Sequence, residues 1–217
     1  MLTELLHELS AKNVTLVAVS KTHSPERILD IYRQGQRIFA ENRAQEMLEK
    51  HVALPADIEW HLIGHLQTNK VKLIAPFVRM IHSVDSLRLL QEIDKQALKV
   101  NRTIDCLLQF HIAQEETKFG LDEAEARELL GSDIFRQMQN IRICGVMGMA
   151  TFSDDEAQVR SEFRHLKTIF ENLKKAFFPE NPDFREISMG MSGDWRIAVE
   201  EGSTMVRVGS LIFGERK

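Results

Sequence analysis

Residues 14–32 read Val-Thr-Leu-Val-Ala-Val-Ser-Lys-Thr-His-Ser-Pro-Glu-Arg-Ile-Leu-Asp-Ile-Tyr. The first seven form a nearly continuous apolar, β-favouring run rather than a strict alternation, as expected of a strand buried on both faces of a parallel sheet. Ser24-Pro25 then sets a cap-type residue before a first-turn proline, which predicts a helix behind it. The same unit recurs along the chain. β-rich runs occupy 14–20, 37–40, 58–63, 79–84, 104–111, 141–150, 184–189 and 204–208, eight in all, with helical periodicity between them. Asp122 with Glu125 gives a capping-box pattern before a helix over 126–137, and Ser153-Asp154-Asp155-Glu156 gives another before a helix reaching about Phe177. An amphipathic segment over 1–10 adds one helix in front of the series. No Pro/Gly/Ser linker divides it, so 1–217 is expected to be a single domain. Eight strand–helix units close most simply as a (β/α)8 barrel, which leaves no edge strand; an open doubly wound sheet is the alternative.

Composition narrows the function. With 43% hydrophobic and 28% charged residues, 11 Gly and 5 Pro, the 217-residue chain is that of a globular protein. The 28 Lys and Arg against 32 Asp and Glu leave a net charge of −4, without the basic excess of a nucleic-acid binder. Residues 1–10 mix Glu4, His7 and Glu8 among leucines, unlike a signal peptide, and no apolar run approaches the roughly 18 residues of a membrane helix. Cys106 and Cys144 lie in apolar segments without Cys-x-x-Cys spacing, which suggests buried free thiols in a reducing compartment. A cytoplasmic protein binding neither nucleic acid nor membrane is expected.

A barrel of this kind places its chemistry at the C-terminal ends of the strands. Those ends are Ser20-Lys21-Thr22, Glu41-Asn42, Gly64-His65, Ser83-Val84-Asp85, Gln114 to Lys118, Met147-Gly148-Met149, Ser188 to Gly193, and Arg207-Val208-Gly209-Ser210. Lys21 would emerge from an apolar strand into the mouth, where lost hydration favours the neutral amine that attacks a carbonyl to form a Schiff base; a surface lysine with its stem on apolar wall is the other reading. Ser192 read as the N-cap of a short helix through Ala198, with Gly193 beside it, would offer free N–H groups to a phosphate. Arg207, Gly209 and Ser210 add a guanidinium and a glycine turn after the eighth run, where such barrels bind phosphate; ordinary loop glycines and a structural arginine would give the same letters. His61 and His65 lack a zinc-type motif, and no metal ligands are expected. Met147, Met149, Met189 and Met191 read as core packing. The sequence has no Walker loop, no Gly-x-Gly-x-x-Gly and no complete nucleophile elbow. A lysine and a phosphate cradle in one mouth suit pyridoxal 5′-phosphate (PLP) or the sugar phosphate of an aldolase.

The segments VAVSKTHS, AENRAQE, WHLIGHLQTNK, IHSVDS, ETKFG, GVMGMAT, SMGMSGDW-x-x-A-x-x-EGSTMVRVG and IFGER resemble the pyridoxal phosphate homeostasis protein family, also called the proline synthase co-transcribed family, over residues 16–216. The resemblance implies a single (β/α)8 TIM barrel of the alanine racemase N-terminal-domain type, with the extra N-terminal helix and PLP on Lys21. It also implies phosphate contacts from Ser192, Gly193 and the Gly209-Ser210 backbone, Arg207 at the pyridine nitrogen or the phosphate, and Asn42 beside the ring. Ala40 stands where the family's Gly-Glu-Asn motif begins with glycine, and Phe110-His111-Ile112-Ala113 replaces a commoner Val-Asn-x-Ser/Gly stretch.

The family is regarded as binding and delivering PLP and as affecting amino-acid and keto-acid balance, without established turnover. The resemblance therefore implies a monomeric PLP carrier with no catalytic residues, whose recipients are apo-PLP enzymes. The alternative is a PLP-dependent racemase or related enzyme. A racemase needs a second acid/base, typically a tyrosine. Tyr32, the one tyrosine, is expected on the first barrel helix, away from the mouth. The eighth run ends nine residues before Lys217, which is read as leaving no room for the domain that supplies that tyrosine.

Overall fold

Each of the eight runs forms a strand: β1 (Thr15–Val19), β2 (Ile38–Glu41), β3 (Glu59–Leu62), β4 (Met80–Val84), β5 (Ile104–His111), β6 (Ile141–Met149), β7 (Glu186–Ser188) and β8 (Met205–Val208). Six of them are shorter than expected, β2 is moved one residue on to include Glu41, and β5 is unchanged. All neighbours are parallel, and β8 pairs back onto β1, so the sheet is a closed barrel in chain order. The open-sheet alternative is thereby excluded. The computed structural model describes residues 2–113 and 119–214; the strand-end candidates Gln114 to Lys118 and parts of the ETKFG and IFGER segments lie outside the described residues.

The helices are α1 (Leu2–Ser10), α2 (Pro25–Arg33), α3 (Ala44–Ala53), α4 (Val71–Ile74), α5 (Leu87–Lys99), α6 (Glu123–Gly131), α7 (Asp133–Arg136), α8 (Glu156–Phe177), α9 (Trp195–Glu200) and α10 (Ser210–Phe213). Pro25 opens α2, and Asp122 with Glu125 forms the complete capping box of α6. Two helix expectations change. The helix over 126–137 is broken, because the Ser132 hydroxyl accepts from the Phe135 amide and starts α7 as a separate turn. Asp155, rather than Ser153, caps α8, accepting from the Ala157 and Gln158 amides. Among the described residues no helix is long and apolar enough to cross a membrane.

The continuous apolar runs have a structural cause: both faces of the wall are buried. Leu16, Ala18, Phe39, Leu62, Ile81, Leu108 and Val206 face the helices, in one core with residues such as Ile28, Met47, Leu90 and Phe163. Their strand neighbours Val17, Val19, Ala40, Met80, Leu107, Met147 and Met205 fill the inside of the barrel. Cys106 and Cys144 are free, buried thiols, one in each cluster. Burial pushes Cys144 up to about 12, so it remains a thiol at neutral pH.

Gly145 lies where β6 shifts its register against β5. Its φ is +151°, and an added Cβ would meet the Glu186 carbonyl oxygen of β7 at 1.8 Å. Gly145→Ala should therefore destabilise the barrel by at least about 2 kcal/mol, read as a lower midpoint in urea unfolding.

Candidate functional site

The strand ends converge on one cavity of about 820 Å³ at the C-terminal mouth of the barrel. Lys21, Asn42, Ser192, Gly193, Arg207, Gly209 and Ser210 all line it. Strand-end position and the family resemblance together named these seven residues, which come from four different strand ends. His65, Gln109, Met149, Thr151 and Phe152 complete much of the wall. Of the four methionines read as core, Met147 and Met189 are buried, whereas Met149 and Met191 line the cavity.

The loops after β7 and β8 meet, as their spacing suggested: the Gly209 amide donates to the Ser192 hydroxyl at 3.2 Å. Ser192 is not a helix cap, however. The Met191 amide donates to the Asp194 carboxylate, and the Asp194 and Trp195 amides return to the Met191 carbonyl. Ser192 and Gly193 are thus the central pair of a tight turn, and α9 begins at Trp195 with Asp194 in the cap position. The Asp194 carboxylate closes the turn by accepting from the Met191 amide and makes no capping bond to α9, and Ser192 is left to line the cavity. The Ser192, Gly193 and Ser210 amides make no hydrogen bond among the described residues. An added Cβ on Gly193 would meet open space. Three amides and a hydroxyl along one rim form a donor set suited to a phosphate.

Arg207 lies inside the wall, 3% exposed. Its Nη1 donates to Ser188 Oγ at 2.7 Å and its Nη2 to the Gly148 carbonyl at 2.9 Å. Burial lowers it to about 10, partly opposed by the Asp194 carboxylate, so it stays cationic at neutral pH. Behind it runs a chain of buried polar groups that sequence reading did not identify. His82 Nδ1 is 3.0 Å from Ser188 Oγ, and His82 Nε2 is 2.9 Å from His61 Nδ1. Arg207 only donates, so Ser188 accepts from it and sends its single hydrogen to His82 Nδ1. His82 then carries its hydrogen on Nε2 and donates to His61, whose remaining hydrogen is on Nε2. Burial holds both rings neutral, His61 at about 3 and His82 well below its ordinary value. His61 also lines a smaller cavity of about 210 Å³ at the opposite end of the strands. His65, despite its spacing from His61, faces the mouth and hydrogen-bonds Asp85 at 3.2 Å.

Asn42 follows β2, and its placement depends on Gly64. An added Cβ on Gly64 would lie 2.4 Å from the Asn42 carbonyl oxygen. Tyr32 lies on α2, where its hydroxyl donates to Asp57 at 2.8 Å, and it does not line the cavity.

The profile of the alanine racemase N-terminal domain matches residues 3–217, which places the chain in that class of barrels. A curated relative in Aquifex aeolicus is 40% identical over 203 residues, spanning 93% of this chain and 87% of that protein; one in human is 39% identical over 220 residues, spanning 96% and 79%. Both are called pyridoxal phosphate homeostasis protein, and this chain belongs to the pyridoxal phosphate homeostasis protein family. PipY of Synechococcus elongatus, solved without PLP, is 36% identical and superposes with a TM-score of 0.88 over 99% of this chain and 100% of its own. PipY with PLP bound gives a TM-score of 0.84 over the same shares. An alanine racemase of Clostridium difficile, 15% identical, shares the fold over 99% of this chain and 56% of its own, with a TM-score of 0.75.

The two buried histidines have a consequence for acid stability. Their folded values lie below the ordinary value of 6.5, so between these limits the unfolded chain binds more protons. Stability should fall as pH drops below about 6.5, by about 1 kcal/mol per pH unit for each histidine. Urea unfolding from pH 7 to pH 4 measures the slope, and His61→Gln should flatten it.

Proposed function

We propose that this protein binds PLP as a Schiff base on Lys21 and acts in PLP homeostasis, storing, buffering or delivering the cofactor. The observation that carries the reading is the meeting of Lys21, a buried cationic Arg207 and an anion-binding rim in one cavity. Donor chemistry fits the group: an amine for an aldehyde, amides for a phosphate, and a cation for the ring end. PLP supplies a reactive aldehyde and, when its pyridine nitrogen is protonated, an electron sink.

The protein's own residues divide the work. Ser192, Gly193, Gly209 and Ser210 would hold the phosphate, and Asn42 would stand beside the ring. Arg207 would serve the pyridine nitrogen rather than the phosphate, because its two terminal nitrogens are anchored to β6 and β7, deep in the wall, while the phosphate-type donors are at the rim. A guanidinium held cationic keeps its proton, so it cannot protonate the nitrogen, and the electron sink is weak. Tyr32 is remote from the cavity. These features support a carrier without turnover, whose recipients are apo-PLP enzymes. The same reading makes residues 1–217 one PLP-holding domain, monomeric and cytoplasmic, in keeping with its two buried free thiols.

One observation favours a second reading, a PLP-dependent racemase or related enzyme. His65, oriented by Asp85, lines the cavity as a competent acid/base. Exchange of amino-acid α-protons in deuterated water separates the two: the carrier gives no exchange above free PLP, and rapid exchange lost in His65→Gln establishes the enzyme.

Added PLP should give the wild type a visible absorbance band that Lys21→Ala lacks. A wild type that takes up no PLP, or a variant with the same band, contradicts the proposal.

A further inference from the structure

On the helix side of the wall behind Lys21, α3 buries a lysine. Lys50 is 5% exposed, and its ammonium donates to the Ser20 carbonyl at 2.8 Å, Glu41 Oε1 at 2.8 Å and Glu46 Oε1 at 2.7 Å. All three hydrogens of the ammonium are thereby used. The two carboxylates reach the same turn. Glu41 Oε1 accepts from the Ser20 hydroxyl at 2.6 Å, and Glu46 Oε1 accepts from the Thr22 amide at 2.6 Å. Both chain neighbours of Lys21 are therefore tied to one buried cluster, Ser20 twice and Thr22 once. Thr22 has φ +69°, in the left-handed region that a β-branched residue adopts only when its surroundings over-determine it.

The charge balance of the cluster is also set by burial. Two carboxylates face one ammonium, and desolvation raises Glu41 to about 7, against the pull of Lys50. Glu41 Oε2 is buried without a partner, so all of the hydrogen bonding of this carboxyl runs through Oε1. Glu46 is half-shielded; desolvation there is outweighed by hydrogen bonds from Lys50 and the Thr22 amide, and it lies below its ordinary value. Enclosing these charges costs desolvation that an apolar helix residue would not incur, so stability alone does not account for the cluster.

We propose that Lys50, Glu41 and Glu46 are positioning residues for Lys21, fixing the turn 20–22 so that the Lys21 amine meets its carbonyl partner in the cavity. The inference rests on Lys21 being the PLP-bearing lysine. The cluster acts on the wall side of the turn and the phosphate donors on the mouth side, so uptake of PLP and its covalent capture become separable.

The test uses the full chain, with PLP uptake measured by equilibrium dialysis and covalent capture by the time course of borohydride trapping. Lys50→Met should take up PLP within about threefold of the wild-type affinity but trap it roughly 10- to 100-fold more slowly. Should Lys50→Met fail to fold, Glu46→Ala serves, because Glu46 is partly exposed and its loss removes the Thr22 tether and one of the three Lys50 contacts while leaving Lys50 bonded to Ser20 and Glu41; trapping should slow at least about threefold. Glu46→Gln, which keeps an oxygen for the Thr22 amide, should restore most of that rate. Variants that trap PLP at the wild-type rate, with a lowered melting temperature as their sole change, overturn the inference and leave Lys21 as the attachment point. A wild type that traps no PLP overturns the reading on which the inference rests.

Discussion

A guanidinium in the wall of a β-barrel has to find acceptors there, and Arg207 finds them in Ser188 and the Gly148 carbonyl. The rest of the interior follows from that requirement. Ser188 accepts from Arg207 and therefore donates onward, which makes His82 an acceptor at Nδ1 and a donor to His61. The two buried histidines stay neutral, and the one positive charge of this file is that of Arg207, at its mouth end. A barrel interior is ordinarily filled by layers of branched apolar side chains. Here one file of that filling is polar, and it aims a fixed cation into the cavity.

The two sides of the wall act on different residues of the same cavity. Inside, the Ser188–His82–His61 file fixes Arg207. Outside, the Lys50 cluster fixes the turn that carries Lys21. Strand alternation makes this possible, since adjacent residues of one strand point to opposite faces: in β2, Ala40 fills the interior while Glu41 turns to α3. The rim contributes the third element, where the 191–194 turn and the Gly209 amide bring Ser192, Gly193 and Ser210 together. A lysine, a cation and an anion-binding rim are thereby set at separate places around one space, each by its own hydrogen bonds.

Much of this was legible in the sequence because burial on both faces leaves a clear trace. Runs such as LVAVS and CLLQF read as parallel strands, their C-terminal ends pointed to Lys21, Ser192 and Arg207, and the family resemblance added Asn42, all without any structure. The comparisons agree with the fold and the family to which those motifs pointed. Other features left no trace. His82 sits in a strand run where a buried polar residue and a pocket residue look alike, and its partner Ser188 is 106 positions away. Lys50 falls in an ordinary amphipathic helix, and periodicity cannot show that its partners lie at Ser20 and Glu41. Ser192 was a plausible cap by residue type, but α9 starts at Trp195, and residue type does not show that 191–194 folds as a separate turn closed by the Asp194 carboxylate.

The central claim is that the cofactor is carried on Lys21 and on no other lysine. Wild-type protein loaded with PLP, reduced with borohydride, digested and mapped by mass spectrometry tests it most directly. The account predicts a pyridoxyl adduct on the peptide containing Lys21, near one per chain. An adduct chiefly on Lys50 or on surface lysines, or none above background, would contradict it.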